Sequence, residues 1–127
     1  MEMKLELVPL PISDIERSKA FYVDLMGFRL DHDVQPGNGM RIIQLTPPGS
    51  ACSIVIGTGM GGDDVEPGSI RNLHLVVPDI EEVRTLLVGR GVAISSIEDM
   101  SGVKYAYLSD PDGNTWALQE ISPSAKL

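Results

Sequence analysis

Cysteine, histidine and aromatic residues are all scarce in this chain of 127 residues, and each shortage removes a class of function. A single cysteine, Cys52, allows no intrachain disulfide and no Cys-x-x-Cys pair, so a reducing compartment is expected. It sits in the run Cys52-Ser53-Ile54-Val55-Ile56, which reads as a buried inert thiol rather than a nucleophile. The only histidines are His32 and His74, which limits imidazole chemistry. Lys and Arg together number 10 against 18 Asp and Glu, a net charge of −8. Without a basic stripe no nucleic-acid partner is expected, and the acidic surplus reads as solubility. No apolar run approaches membrane-spanning length, and Met1-Glu2-Met3-Lys4-Leu5-Glu6 lacks the basic start and long apolar stretch of a secretory leader. A cytoplasmic protein with no membrane partner is therefore expected. A phosphate-binding glycine loop and a Gly-x-Ser-x-Gly elbow are missing as well.

What the chain does contain is a repeat. Val8-Pro9-Leu10-Pro11-Ile12-Ser13-Asp14-Ile15-Glu16 returns as Leu73-His74-Leu75-Val76-Val77-Pro78-Asp79-Ile80-Glu81. Thr46-Pro47-Pro48-Gly49 is echoed, at nearly the same spacing, by Asp110-Pro111-Asp112-Gly113. Each half reads as one supersecondary unit that cannot bury its apolar face alone. Pairing two such units leaves a cleft, so the architecture itself implies a ligand site.

At 43% hydrophobic and 22% charged, the chain has the composition of one globular domain spanning 1–127. The first module covers about 4–57, a Gly-, Asp- and Pro-rich linker 58–69, the second module about 70–121, and a tail 122–127 that should fray. In the first module a strand over Leu5–Ile12 carries Pro9 and Pro11, which places it at a sheet edge. Ser13 with Glu16 reads as a capping box for a helix ending at Gly27. Strands follow at Phe28–Asp33, Met40–Thr46 and Ala51–Gly57. The second module repeats the order: strand Ile70–Val77, helix Asp79–Arg90, then strands near Val92–Ile97, Val103–Ser109 and Thr115–Ile121. The fold class is α+β, with two βαβββ modules in tandem and helices on one face of a curved, mostly antiparallel sheet.

The doubled βαβββ order resembles the vicinal oxygen chelate superfamily, which includes glyoxalase I, extradiol dioxygenases and bleomycin-resistance proteins. The likeness rests on Pro11-Ile12-Ser13-Asp14-Ile15-Glu16-Arg17-Ser18-Lys19-Ala20-Phe21-Tyr22, on Gly27-Phe28, and on Asp110-Pro111-Asp112-Gly113-Asn114. It implies a U-shaped cleft and a homodimer. It does not imply one activity, because those segments build the scaffold. In the metal-dependent members four strands each offer one His or Glu. The family pattern puts Leu7, Ser53, Asn72 and Ala117 at those positions, none of which carries an imidazole or a carboxylate. No metal ligands are assigned and no cofactor is expected. A divalent metal would need a register slip, which brings His74 onto the face of Asn72 and Gln119 onto that of Ala117.

Under that resemblance the cleft is lined by Leu7, Asn72, His74, Ala117 and Gln119. The second echo adds Arg41 paired with Tyr105 and Ile43 paired with Tyr107, with Ser53 at the fourth family position. An apolar pocket with a few polar groups suits a small-molecule ligand. Asn72 and Gln119 read as buried amides in need of partners. His74 is the one candidate catalytic residue; an ordinary imidazole titrates at about 6.5. Tyr105 and Tyr107 could as well cover the sheet, and Arg41 could snorkel to solvent. The reading is a small-molecule binder of this class. The alternative is an enzyme: a glyoxalase-like lyase, a dioxygenase, or a metal-free isomerase or cyclase that uses His74.

Overall fold

The computed structural model describes residues 1–59 and 64–121, which include both halves of the repeat. Part of the linker, 60–63, and the tail expected to fray, 122–127, lie outside the described residues. Proline has no amide proton to give a central strand, and β1 (Leu7–Pro9) is short and sits at an edge, paired only with β4. Asp14 caps α1 (Ile15–Ala20), its carboxylate accepting from the Arg17 amide at 3.1 Å. The cap falls one residue later than the Ser13 capping box predicts, because the Ser13 hydroxyl is drawn to Asp112 at 2.5 Å. α1 widens into a π-helical turn, Phe21–Leu25, and Gly27 at φ 75° stops it.

Three strands complete the first module: β2 (Arg29–Gly37), β3 (Met40–Thr46) and β4 (Ser53–Thr58). β2 runs past the predicted end at Asp33, through two register shifts. The second module gives β5 (Leu73–Val76), α2 (Ile80–Gly89), β6 (Glu98–Met100), β7 (Val103–Ser109) and β8 (Thr115–Ile121). Asp79 caps α2 through the Glu82 amide at 3.1 Å. The strand expected near Val92–Ile97 does not form, and Ile94 makes only an isolated bridge to Leu108. The cause is local. Arg84 takes the carbonyls of Ile94 and Ser95, at 3.0 and 2.7 Å, that a ladder would need.

Strand order is β1-β4-β3-β2 in one sheet and β5-β8-β7-β6 in the other. β1 runs parallel to β4 and β5 parallel to β8, while the remaining pairs are antiparallel. The single curved sheet of the expectation is thus two four-stranded mixed sheets. Alternation sends Ile43, Leu45, Ile54 and Ile56 of the first, and Ala106, Leu108, Trp116 and Leu118 of the second, into one shared hydrophobic core. Trp116 lies on the helix side of β8, as its parity predicts.

The two segments that carry the family resemblance meet in this core. Tyr22 is fully buried; its hydroxyl donates to Asp110 at 2.8 Å and accepts from Trp116 Nε1 at 2.9 Å. Burial, reinforced by the Asp110 charge, pushes the Tyr22 phenol far above its usual pKa. Asp110 also accepts from the backbone amides of Asp112 and Asn114 and from Asn114 Nδ2, whose other proton is donated to the Pro11 carbonyl. Asp112 receives Ser13 and Arg17 from the first module. Gly68 crosses this turn at φ 81°, so close that a Cβ there would stand 2.0 Å from the Asp112 carbonyl oxygen. The turn motif is therefore a joint between modules as well as a hairpin turn.

Candidate functional site

Because the helix-bearing faces share one core, the opposite faces of the two sheets are left without a helix over them. On the second sheet, register sets His74 against Ala117 and Val76 against Gln119, with Gln119 facing Tyr105 and Ala117 facing Tyr107 across β7. Five of the sequence-predicted residues, His74, Ala117, Gln119, Tyr105 and Tyr107, are brought together here. His74 Nδ1 lies 2.6 Å from Gln119 Oε1. A carbonyl oxygen can only accept, so this contact takes its proton from Nδ1 and leaves Nε2 without a protein partner among the described residues. The His74 ring meets Tyr105 edge to face at 6.0 Å, and Tyr105 and Tyr107 are nearly parallel at 6.3 Å. Ala117 is fully buried at the floor, whereas Val76, at 68% exposed, and Tyr107, at 37%, stand open.

Asn72 departs from its expected place. It precedes β5 with φ 57°, is exposed, and its backbone amide donates to Thr115 Oγ1 at 2.8 Å. It is no buried amide. The left-handed residue breaks the strand, so the residue registered against Ala117 is His74, the slip of two that alternation allows.

On the first sheet Leu7 is registered against Ser53, as the family positions require. Arg41 and Ile43 are not on that face. Ile43 is fully buried in the core, and Arg41 reaches the helix side, held by Asp33 at 2.9 Å and by Glu16 of α1. These contacts raise the Arg41 guanidinium and hold the Asp33 carboxyl well below the usual carboxylate range. Gln44 and Thr46 take the places expected of Arg41 and Ile43: Thr46 Oγ1 lies 2.6 Å from Ser53 Oγ, and Gln44 Nε2 donates to it at 3.5 Å. The cause is hairpin length. Eight residues separate the paired Leu45 and Ile54 but eleven separate the equivalent pair Ala106 and Leu118, and an odd difference exchanges the two faces of a strand. Counting both loops before carrying the repeat across them would have found Gln44 and Thr46.

Among the described residues no three His, Cys, Asp or Glu side chains converge on a point that could hold a metal ion. The four strand positions offer one imidazole, His74, and one hydroxyl, Ser53, beside Leu7 and Ala117. That donor set does not fit the deprotonated, multidentate shell a divalent ion requires. Hydrogen bonds, ion pairs and ring contacts among the described residues do not link one outer face to the other. What the second face can do is stack a flat group against tyrosines and exchange hydrogen bonds with His74 and Gln119. The first face offers aliphatic groups, one amide, hydroxyls and the Asp31 carboxylate, which accepts from Thr46 Oγ1 and pairs with Arg29 at 2.7 Å.

The sequence model of the Glyoxalase/Bleomycin resistance protein/Dioxygenase superfamily matches residues 4–118. Among solved structures, TnmS3, an antibiotic binding protein from Streptomyces sp. CB03234, is 36% identical, with a TM-score of 0.83, 95% of this chain and 98% of that one covered. A glyoxalase/bleomycin resistance protein from the same organism is also 36% identical, with a TM-score of 0.76 and coverage of 91% and 98%. A superfamily member from Sphaerobacter thermophilus DSM 20745 shares 31% identity, a TM-score of 0.80 and coverage of 94% and 98%. A search of curated proteins by sequence found no match. With the doubled βαβββ fold and a family match over most of its length, the chain belongs to the glyoxalase/bleomycin resistance protein/dioxygenase superfamily.

Proposed function

We propose that the chain binds a small organic molecule on the outer face of its second sheet, without a catalytic metal, and that a second copy closes the cleft. One observation carries this reading: His74, Gln119, Tyr105 and Tyr107 form a pre-ordered group of rings and amide on a face that no helix covers. Aromatic rings supply contact area at low entropic cost, and a few fixed polar atoms orient what lies on them. The antibiotic-binding relative at 36% identity supports a binding role. The poor donor set supports the absence of a metal. β1 and β5 are both edge strands, with Leu7 and Val76 exposed on them, and a twofold partner would set the first sheet of one copy against the second sheet of the other.

A thermal-shift screen of small organic molecules on the full chain, followed by calorimetric titration of the hits, tests the site. Loss of about tenfold in affinity is expected for Tyr105→Ala, on the order of one stacked ring contact. Unchanged affinity there rejects the face. Elemental analysis after supply of Zn, Ni, Mn and Fe(II) is expected to find well under one ion per chain, and one retained ion rejects the metal-free part. Sedimentation velocity should show a dimer; a monomer at every concentration rejects the shared cleft.

The hydrogen bond that orients the His74 ring favours a second reading, in which the protein is a metal-free isomerase or cyclase with Nε2 as general base. That reading requires turnover of a bound molecule to vanish in His74→Ala while binding and folding persist. Turnover that survives the substitution removes it.

A further inference from the structure

The outer face of the second sheet continues toward the start of β5 and β8 into a cavity of about 410 Å³ lined by Arg71, Asn72, Ala93, Tyr107, Leu108, Ser109 and Thr115. Tyr107 belongs to both: its ring is stacked with Tyr105 on the face, and it walls the cavity. Ser109 and Thr115 lie two residues from Tyr107 and Ala117 along β7 and β8, which strand alternation places on the same side, and the Asn72 backbone amide joins them through Thr115 Oγ1 at 2.8 Å.

The cavity has an unusual charge for so acidic a chain. Arg71 Nη1 donates to the carbonyls of Gly68, Ile70 (3.1 Å) and Gly113 (2.9 Å), which fix the guanidinium without neutralising it. None of the ion pairs among the described residues includes Arg71, and the lining holds no carboxylate. Around it stand neutral donors: the Tyr107, Ser109 and Thr115 hydroxyls and the Asn72 side-chain amide, which makes no hydrogen bond within the described structure. A fixed cation ringed by neutral donors is complementary to an oxyanion.

We infer that this cavity is an anion-accepting subsite, and that the ligand is an aromatic acid whose flat body lies on Tyr105 and Tyr107 while its carboxylate enters beside Arg71. The inference rests on the binding face proposed above and adds the chemical class of what binds there. It also divides the work: the tyrosines hold any flat aromatic body, and Arg71 with Asn72 selects the acid.

Two fluorescent probes of equal shape separate the parts, pyrenebutyrate and the neutral pyrenebutanol, titrated into the full chain at low salt. Pyrenebutyrate is expected to bind about tenfold more tightly than the alcohol, as a charge-assisted hydrogen bond allows. The advantage should shrink as salt is raised. Arg71→Gln should abolish the difference. Since that variant also loses the carbonyl contacts, Asn72→Asp provides a second test: it leaves Arg71 in place, adds a negative charge at an exposed position, and should weaken only the acid. Tyr105→Ala should weaken both probes alike. Equal binding of the two probes in the unaltered chain, with both weakened by Tyr105→Ala, keeps the face and overturns the anion subsite. Binding of neither probe overturns both.

Discussion

The two outer faces are built on one plan and carry different chemistry. In each module an edge strand runs parallel to the last strand, which pairs antiparallel with the third. On the first sheet this frame presents Leu7, Ser53, Gln44 and Thr46, whose hydroxyls and amide are tied to one another and to the Arg29-paired Asp31 carboxylate. On the second it presents His74, Gln119, Tyr105 and Tyr107, with the Arg71 cavity beside them. A repeated scaffold therefore need not repeat its function. Backbone pairing demands only strand parity and turns, and outward-facing positions are free to diverge because no core packs on them. Here nearly all the recognition chemistry has gathered on the second half.

The contrast depends on a joint that holds both sheets to one core, so the most disruptive test severs it. Tyr22→Ala removes a fully buried ring and leaves Asp110 and Trp116 Nε1 each short of a partner. Urea unfolding should show a loss of about 3–5 kcal/mol; a loss below about 1 kcal/mol would mean that the modules do not rely on this contact. Gly68→Ala acts on the same joint from the linker, where its Cβ would collide with the Asp112 carbonyl. Displaced backbone should cost about 1–3 kcal/mol in the same assay. Either variant should lower the stability of both modules in one transition, because they share one core.

Ligand titration sharpens the comparison directly. Tyr105→Ala on the second face should reduce affinity about tenfold, while Gln44→Ala on the first should change it less than about twofold. A larger effect from Gln44 would move the centre of binding to the first sheet. The smallest expected effect lies on the helix side of the first module. Asp33 has its carboxyl lowered by hydrogen bonds from Arg41 and Lys19. A lowered folded-state pKa contributes stability above the unfolded carboxylate value of about 3.9 and loses it as pH falls toward the folded value. Asp33→Asn should therefore be slightly less stable than the parent at neutral pH, and the two should converge in strong acid. Thermal midpoints across pH check the sign; a gap that widens in acid would contradict it.

Much of the fold is legible in the residues themselves. The prolines of β1, the Asp14 and Asp79 caps, the Gly27 stop and the alternating runs of β3, β7 and β8 are local signals, and local chemistry is sufficient for them. Strand parity also placed His74, Ala117, Gln119 and Tyr107 on one face. The errors arose where an answer depended on distant residues. Arg84 withholds the carbonyls of Ile94 and Ser95 from a strand, and Asp112 draws Ser13 from its capping role. A left-handed Asn72 shifts which residue meets Ala117, and a hairpin connection three residues shorter than its counterpart puts Arg41 on the helix side.

The sequence by itself determined the doubled βαβββ plan and most of the candidate residues of the second sheet. These follow from hydrophobic period, turn chemistry and side-chain donor type, all readable within a few residues. Only the tertiary structure decided that the turn motif is the joint between modules, that the helix faces share one core, and that Arg71 stands at the end of the tyrosine face in none of the ion pairs among the described residues. Those are matters of long-range register and of which charges meet across the chain, and a displacement of a single residue reverses them.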